Sequence, residues 1–200
     1  MEDTRIKLLA IMGKAGSGKD TILNKIISKK LIPNAVPIVS CTTRPKRDYE
    51  EDGKDYHFLS REEFTQAIFN EEMLEAQEFN TWIYGTRKKD LNPNKINIGV
   101  YTPSGIYDLA TTPEIDLCVF YILATDKTRM LRQLNREKDP DVHEIVRRFS
   151  ADEWDFELEH NIKPIIQTCP YFFTIDNENK KVKDVAIAIA ATAGQYWLKK

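Results

Sequence analysis

Apolar residues in this chain come in short blocks, and the spacing within each block predicts its element. Ile6–Met12 (IKLLAIM) is nearly continuous and halts at Gly13, which predicts a buried parallel strand. Ile22, Ile26 and Ile27 then recur at helical spacing until Pro33 stops the pattern. Val36–Ser40 reads as a second strand. Residues 41–60 are polar and charged, with Pro45 and Gly53, and predict an exposed segment rather than core. Ser60-Arg61-Glu62-Glu63 sets a carboxylate three residues after a hydroxyl, a pairing that caps a helix start and predicts a helix through Phe69. Met73–Phe79, Trp82–Thr86, Ile96–Tyr101 and Leu117–Leu123 read as strands, the last two separated by a helix near Ser104–Ala110. Asp126–Glu137 and Asp141–His160 read as helices split by Pro140, Tyr171–Ile175 as a last strand, and Val182–Leu198 as a closing helix. Strands alternating with helices predict an α/β fold with a parallel sheet.

Composition changes the picture little. Two hundred residues, 42% hydrophobic and 10% aromatic, are enough for one domain with a substantial core, which excludes wholesale disorder. Charge says more. Lys and Arg number 29 against 31 Asp and Glu, a net −2, which argues against a nucleic-acid coat or a membrane-surface binder. A site for a polyanion therefore has to concentrate its positive charge locally. Cys41, Cys118 and Cys169 are an odd set without CxxC spacing, so buried thiols are expected rather than a disulfide framework or a thiolate zinc site. The N-terminal apolar run and Val185–Ala193 are both too short to span a bilayer, and a cytoplasmic location is the default expectation.

The candidate chemistry starts where the first strand stops. Gly13-Lys14-Ala15-Gly16-Ser17-Gly18-Lys19 is a GxxxxGK loop between a predicted strand and a predicted helix, the context in which such a loop cradles phosphate. Its glycines let successive N–H groups turn toward one anion, the helix adds its positive end, and Lys19 brings a mobile cation. The residue after the lysine is normally a Ser or Thr that serves Mg²⁺. Here it is Asp20, followed by Thr21. A carboxylate at that point holds Mg²⁺ directly or through water, or else simply caps the helix.

Seven of the ten arginines fall in two groups: Arg44 and Arg47, then Arg129, Arg132, Arg136, Arg147 and Arg148. Two arginine groups around a phosphate loop suit an enzyme that clamps two phosphorylated substrates. No Asn-Lys-x-Asp base-reading motif is present, which removes the GTPase reading. Ser40-Cys41-Thr42-Thr43-Arg44-Pro45-Lys46-Arg47, then Glu50 and Gly53-Lys54-Asp55-Tyr56-His57-Phe58, closely resembles the signature of the guanylate kinase family. Leu74-Glu75 and Tyr84-Gly85-Thr86 resemble its next two motifs, and a looser likeness runs on to Ile175-Asp176-Asn177.

The resemblance implies a three-layer P-loop fold in a single domain, with an acceptor-binding lobe inserted at about residues 40–95 and a helical lid at about 128–150. It implies ATP-dependent phosphorylation of GMP or dGMP with Mg²⁺, nucleotides as the binding partners, and a monomer or homodimer. Gly13 to Thr21 would bind ATP, with Arg132 and, near the donor adenine, Asn177. Arg44, Arg47, Tyr56 and Tyr84 would hold the acceptor phosphate, while Ser40, Glu75 and Thr86 face its base. A carboxylate at Glu75 accepts from N1–H and the exocyclic amine of guanine, and the Thr86 hydroxyl donates to O6; adenine presents the opposite pattern. Arg136 and Arg148 would close over the transferring group, with 135–142 as the mobile lid, whereas Arg129 and Arg147 read as a solvated helix face. The family usually carries acids in the strand matching Ile96–Tyr101, and this chain has none. That departure keeps open a broader deoxynucleoside monophosphate kinase or a sugar-phosphate kinase. A non-catalytic protein-binding module of the same fold is the alternative from another class.

Overall fold

The computed structural model describes residues 5–198 apart from Tyr49, Asn80 and Glu137. Its main sheet has five parallel strands: β1 (Ile6–Met12), β2 (Ala35–Pro37), β7 (Ile96–Val100), β8 (Ile115–Leu123) and β9 (Phe172–Asp176), in the order β2-β7-β1-β8-β9. Strand β1 lies at the centre, and its alternation sorts the core. Leu9 and Ile11 face α1 (Lys19–Ser28) and α7 (Val182–Leu198), packing with Ile22, Ile26 and Ile189. Leu8, Ala10 and Met12 face the other way, toward α3 (Pro103–Ala110) and α6 (Lys163–Thr168), with Ile106, Leu109 and Ile165. Helices on both faces of a parallel sheet give three layers, and each fully buried aliphatic side chain contributes about 1.5–3 kcal/mol.

A second sheet is inserted between β2 and β7. It consists of β3 (Cys41–Thr42), β4 (His57–Phe58), β5 (Met73–Phe79) and β6 (Trp82–Arg87), in the order β4-β3-β6-β5. Helix α2 (Arg61–Phe69) opens on the predicted capping box, with Ser60 and Glu63 each bonding the other's backbone N–H. Helices α4 (Asp126–Leu134) and α5 (Val142–Asp155) follow β8.

Several expectations change. The second strand ends at Pro37, which lacks an N–H and sits on the sheet edge, where its absence costs nothing. The next residues cross to the other sheet, so 41–60 is not uniformly exposed: Cys41, Thr42, Arg44 and Glu50 are buried. Asp141 caps α5 rather than beginning it, and the helix stops at Asp155. A π-turn, Leu158–Ile162, then leads into α6, a helix the apolar pattern does not announce. The predicted end of the preceding helix at Glu137 lies outside the described residues; α4 itself closes at Leu134. All three cysteines are buried. Among the described residues no helix is long and apolar enough to cross a membrane.

Candidate active site

The loop after β1 lies at the carboxyl end of the parallel strands, where open α/β sheets form their crevice. Gly16 (φ 79°) and Gly18 (φ 96°) take left-handed backbone that side chains resist. A Cβ on Gly16 would also come within 2.5 Å of the Arg129 carbonyl oxygen. Helix α1 starts at Lys19 without a side-chain cap, so its positive end stays directed at the loop mouth. Lys19 Nζ lies 3.6 Å from Asp20 Oδ2, and the Asp20 side chain is 73% exposed.

Facing the loop, Arg44 is held from several directions. It donates to Glu50 Oε1 and to the Pro45 carbonyl, both at 2.7 Å, and lies 5.6 Å from the centre of the Tyr56 ring. Glu50 also accepts the Arg47 backbone N–H at 2.9 Å. The Arg44 guanidinium holds the Glu50 carboxyl below its usual range. Tyr56 and Tyr84 meet edge to face, 6.0 Å apart.

Deeper in, Glu75 on β5 pairs in register with Thr86 on β6. Burial pushes its carboxyl up to about 7 against the opposing pull of bonds from Thr86. A Cβ on Gly105 would stand 3.2 Å from Glu75 Oε2, so a glycine at the start of α3 leaves the carboxylate its room. Thr86 is fully enclosed, its hydroxyl 3.5 Å from that of Tyr101. Gln77 donates to Asp108 Oδ2 at 3.0 Å.

One cavity of about 510 Å³ joins these parts. Gly13, Ala15 and Lys19 line it from the loop; Arg44, Arg47, Tyr56 and Tyr84 line it from the inserted sheet. Glu75 and Ser40 close its deep end, and Arg148 enters from α5. Cations at two ends, with a buried hydrogen-bonding pocket beyond one of them, suit two phosphates and one base.

Other predicted residues stand behind or outside the cavity. Lys14 pairs with Glu153 at 2.6 Å. Thr21 is exposed on α1, and Ser17 is buried within the loop. Arg132 donates NH1 to the Gly16 and Ser17 carbonyls at 3.3 and 3.1 Å, and NH2 to the Asn177 carbonyl at 2.8 Å. The Asn177 amide donates to the Ser17 carbonyl at 2.8 Å, and its side chain is enclosed behind the loop. Arg136 is exposed and lines a separate hollow of about 150 Å³ beside Pro140 and Glu144. Arg147 and Arg148 both donate to Glu144, whose carboxyl the Arg147 bond, with Arg148, holds down at about 2.

Arg129 corrects the expectation of a solvated face. It is 1% exposed, and its donors reach the Ala15 carbonyl (3.0 Å), Asp126 (2.7 Å) and Asp152 (2.5 Å). An arginine is buried at tolerable cost only when paired in this way. Asp126, three residues earlier, was a visible partner; Asp152 comes from another helix and carries no local signal. Glu50, Gln77, Tyr101 and Asp152 also line the cavity without having been assigned a role.

The family model described as guanylate kinase matches residues 5–168. The chain belongs to the guanylate kinase family. The guanylate kinase of Aster yellows witches'-broom phytoplasma is 44% identical over 80% of this chain and 77% of that protein. That of Thermotoga maritima is 45% identical over a shorter stretch, 40% of this chain and 38% of its own length. Several curated relatives are thus matched over only about two-fifths of their length, as with Helicobacter hepaticus guanylate kinase at 40%. The crystal structure of guanylate kinase from Anaplasma phagocytophilum superposes with a TM-score of 0.59, covering 96% of this chain and 87% of that one at 23% identity, which supports the shared fold.

Proposed function

We propose that the protein transfers the terminal phosphoryl group of ATP to GMP or dGMP. The observation that carries this reading is the single cavity joining the Lys19 loop, the Arg44–Arg47 pair and the buried Glu75. Phosphoryl transfer passes through a loose transition state, so the protein's task is to position two anions, offset their charge and exclude water. Loop amides and Lys19 take the donor phosphates. Arg44 and Arg47, with Tyr56 and Tyr84, fix the acceptor phosphate, whose oxygen is already an anionic nucleophile and needs no general base. Glu75 reads N1–H and the amine of guanine; Thr86, fully enclosed and bonded to Glu75 and Tyr101, supports that carboxylate rather than lining the cavity. Arg148, and Arg136 once the lid closes, cover the charge that spreads onto the transferring group.

Among the described residues no cluster of three or more His, Cys, Asp or Glu forms a metal cage. Mg²⁺ does not require one, because it keeps several waters and takes most other ligands from phosphate. The exposed Asp20 carboxylate at the loop mouth fits one place in such a shell, and Mg²⁺ bound there would neutralise donor phosphate charge. Segment 135–142 serves as the lid, residues 40–95 as the acceptor lobe, and the enzyme works in the cytoplasm as a monomer or homodimer.

A coupled assay of ATP with GMP, dGMP, AMP, CMP and TMP tests the reading. GMP or dGMP should dominate, and Lys19→Ala should lower kcat by roughly two orders of magnitude or more. Turnover of a pyrimidine nucleotide alone, or none at all in a folded protein that binds GMP, would overturn it.

A further inference from the structure

We propose that Arg129 is a positioning residue for the donor loop, acting with Arg132 and Asn177 as a brace on the loop's carbonyl side. The inference rests on the loop being the ATP site and adds how its amides are aimed. In a trans peptide the C=O and N–H point in opposite directions, and no described peptide is cis. Arg129 Nε holds the Ala15 carbonyl, Arg132 holds those of Gly16 and Ser17, and the Asn177 amide also holds Ser17. Three successive carbonyls are thereby fixed toward α4 and the end of β9. The N–H groups of the same peptide units, on Gly16, Ser17 and Gly18, must face the other way.

The preceding peptide is treated differently. Its N–H, on Ala15, is taken by Asp152 Oδ2 at 2.8 Å, and its carbonyl, on Lys14, accepts from Ser17 N at 3.0 Å. The Ser17 N–H is thus spent inside the loop, and the amides that the brace aims at the cradle are those of Gly16 and Gly18. Asp152 also balances Arg129, with the Phe149 ring 4.4 Å from the guanidinium, so the brace is buried as a compensated unit. Because Asp152 lies one helical turn beyond Arg148 on α5, the same contact sets where Arg148 enters the cavity. A loop whose amides are already aimed loses less freedom when phosphate arrives.

The test is calorimetric titration of the full chain with ATP, tripolyphosphate and GMP, alongside thermal melting. Arg129→Met/Asp152→Leu removes both charges together and leaves no buried ion unpaired. Its dissociation constants for ATP and tripolyphosphate should rise roughly tenfold or more, while that for GMP stays within about twofold. Arg129→Lys, which keeps the charge but loses the fork of donors, should fail to restore ATP affinity. A cooperatively melting double variant with wild-type ATP affinity overturns the brace, as does equal loss of ATP and GMP binding, the mark of general loosening. If the double variant does not melt cooperatively, Arg132→Met on the part-buried arm must show the same ATP-selective loss, and unchanged ATP affinity there overturns the proposal. A wild-type protein that binds neither ATP nor tripolyphosphate sinks the donor-site reading itself; intact wild-type binding with an unaffected variant sinks only the brace.

Discussion

Glu75, the carboxyl proposed to read guanine, is one that burial pushes toward neutrality. Its folded value of about 7 stands above the ordinary 4.5 because burial disfavours the charged form. Above pH 7 both folded and unfolded states are ionised and the full cost of the buried charge is present; below 4.5 both are protonated and the cost is gone. Stability contributed at this position therefore falls as pH rises from 4.5 to 7, by roughly 3 kcal/mol. Recognition runs the other way, since only the carboxylate accepts two donors from guanine. The KM for GMP should rise as pH drops below 7, approaching tenfold per unit, while the KM for ATP stays flat. Glu75→Gln should flatten that limb, weaken GMP use and raise the melting temperature at pH 8 more than at pH 5. A wild-type KM for GMP that is level from pH 7 to 5.5 contradicts the assignment. The motif around Glu75 was legible from residue types. Its burial was not, because it depends on Gly105 and Tyr101 arriving from after β7.

At the scale of elements, the strands were the most readable part, and the reason is periodicity. IKLLAIM and the stretch around Phe120 are apolar on both faces because helices cover both sides of the sheet, and that covering leaves its mark in the chain. Short strands escaped notice: β3 and β4 have two residues each and are held by pairing partners far away in sequence, so no local pattern marks them. Helix α4 shows the same limit from the other side. Its polar composition suggested a wet face, yet Arg129 and Arg132 point at loop carbonyls and are satisfied there. Helix α1 carries the departure with the clearest consequence. Asp20 sits in its first turn, exposed and 3.6 Å from Lys19, where a hydroxyl is the usual occupant. Replacing so exposed a carboxylate should hardly move stability, since surface ion pairs are worth about 0–1 kcal/mol. Asp20→Ser should instead raise the Mg²⁺ concentration needed for half-maximal rate by roughly threefold or more, if the carboxylate supplies one oxygen of the metal's shell. An unchanged Mg²⁺ titration with full turnover would leave Asp20 as a helix cap alone.

For the molecule as a whole, a net charge of −2 coexists with a site built for anions because acids are placed among its arginines. Glu50 answers Arg44, Glu144 answers Arg148, and Asp152 answers Arg129. Each pairing holds a cation in place before substrate arrives, so little reorganisation remains to be done at the moment of reaction. Arg136 is the exception in position: it lines not the cavity that holds Lys19 but a neighbouring hollow, and Arg148 reaches both. For it to cover the transferring phosphoryl, α4, α5 and the segment between them must close over the cavity, a movement that both nucleotides together would favour. A residue recruited only by closure contributes to the transition state and not to either separate binding step. Arg136→Ala should therefore lower kcat by roughly a hundredfold or more, leave each KM within about twofold, and leave the melting temperature of the ligand-free protein unchanged, because the side chain is exposed. An adenosine–guanosine polyphosphate that fills both subsites should lose affinity for this variant, whereas ATP alone and GMP alone should bind as before. A variant that binds ATP less well but turns over at the wild-type rate would place Arg136 on the donor in the open state, and closure would not be what brings it to the reaction.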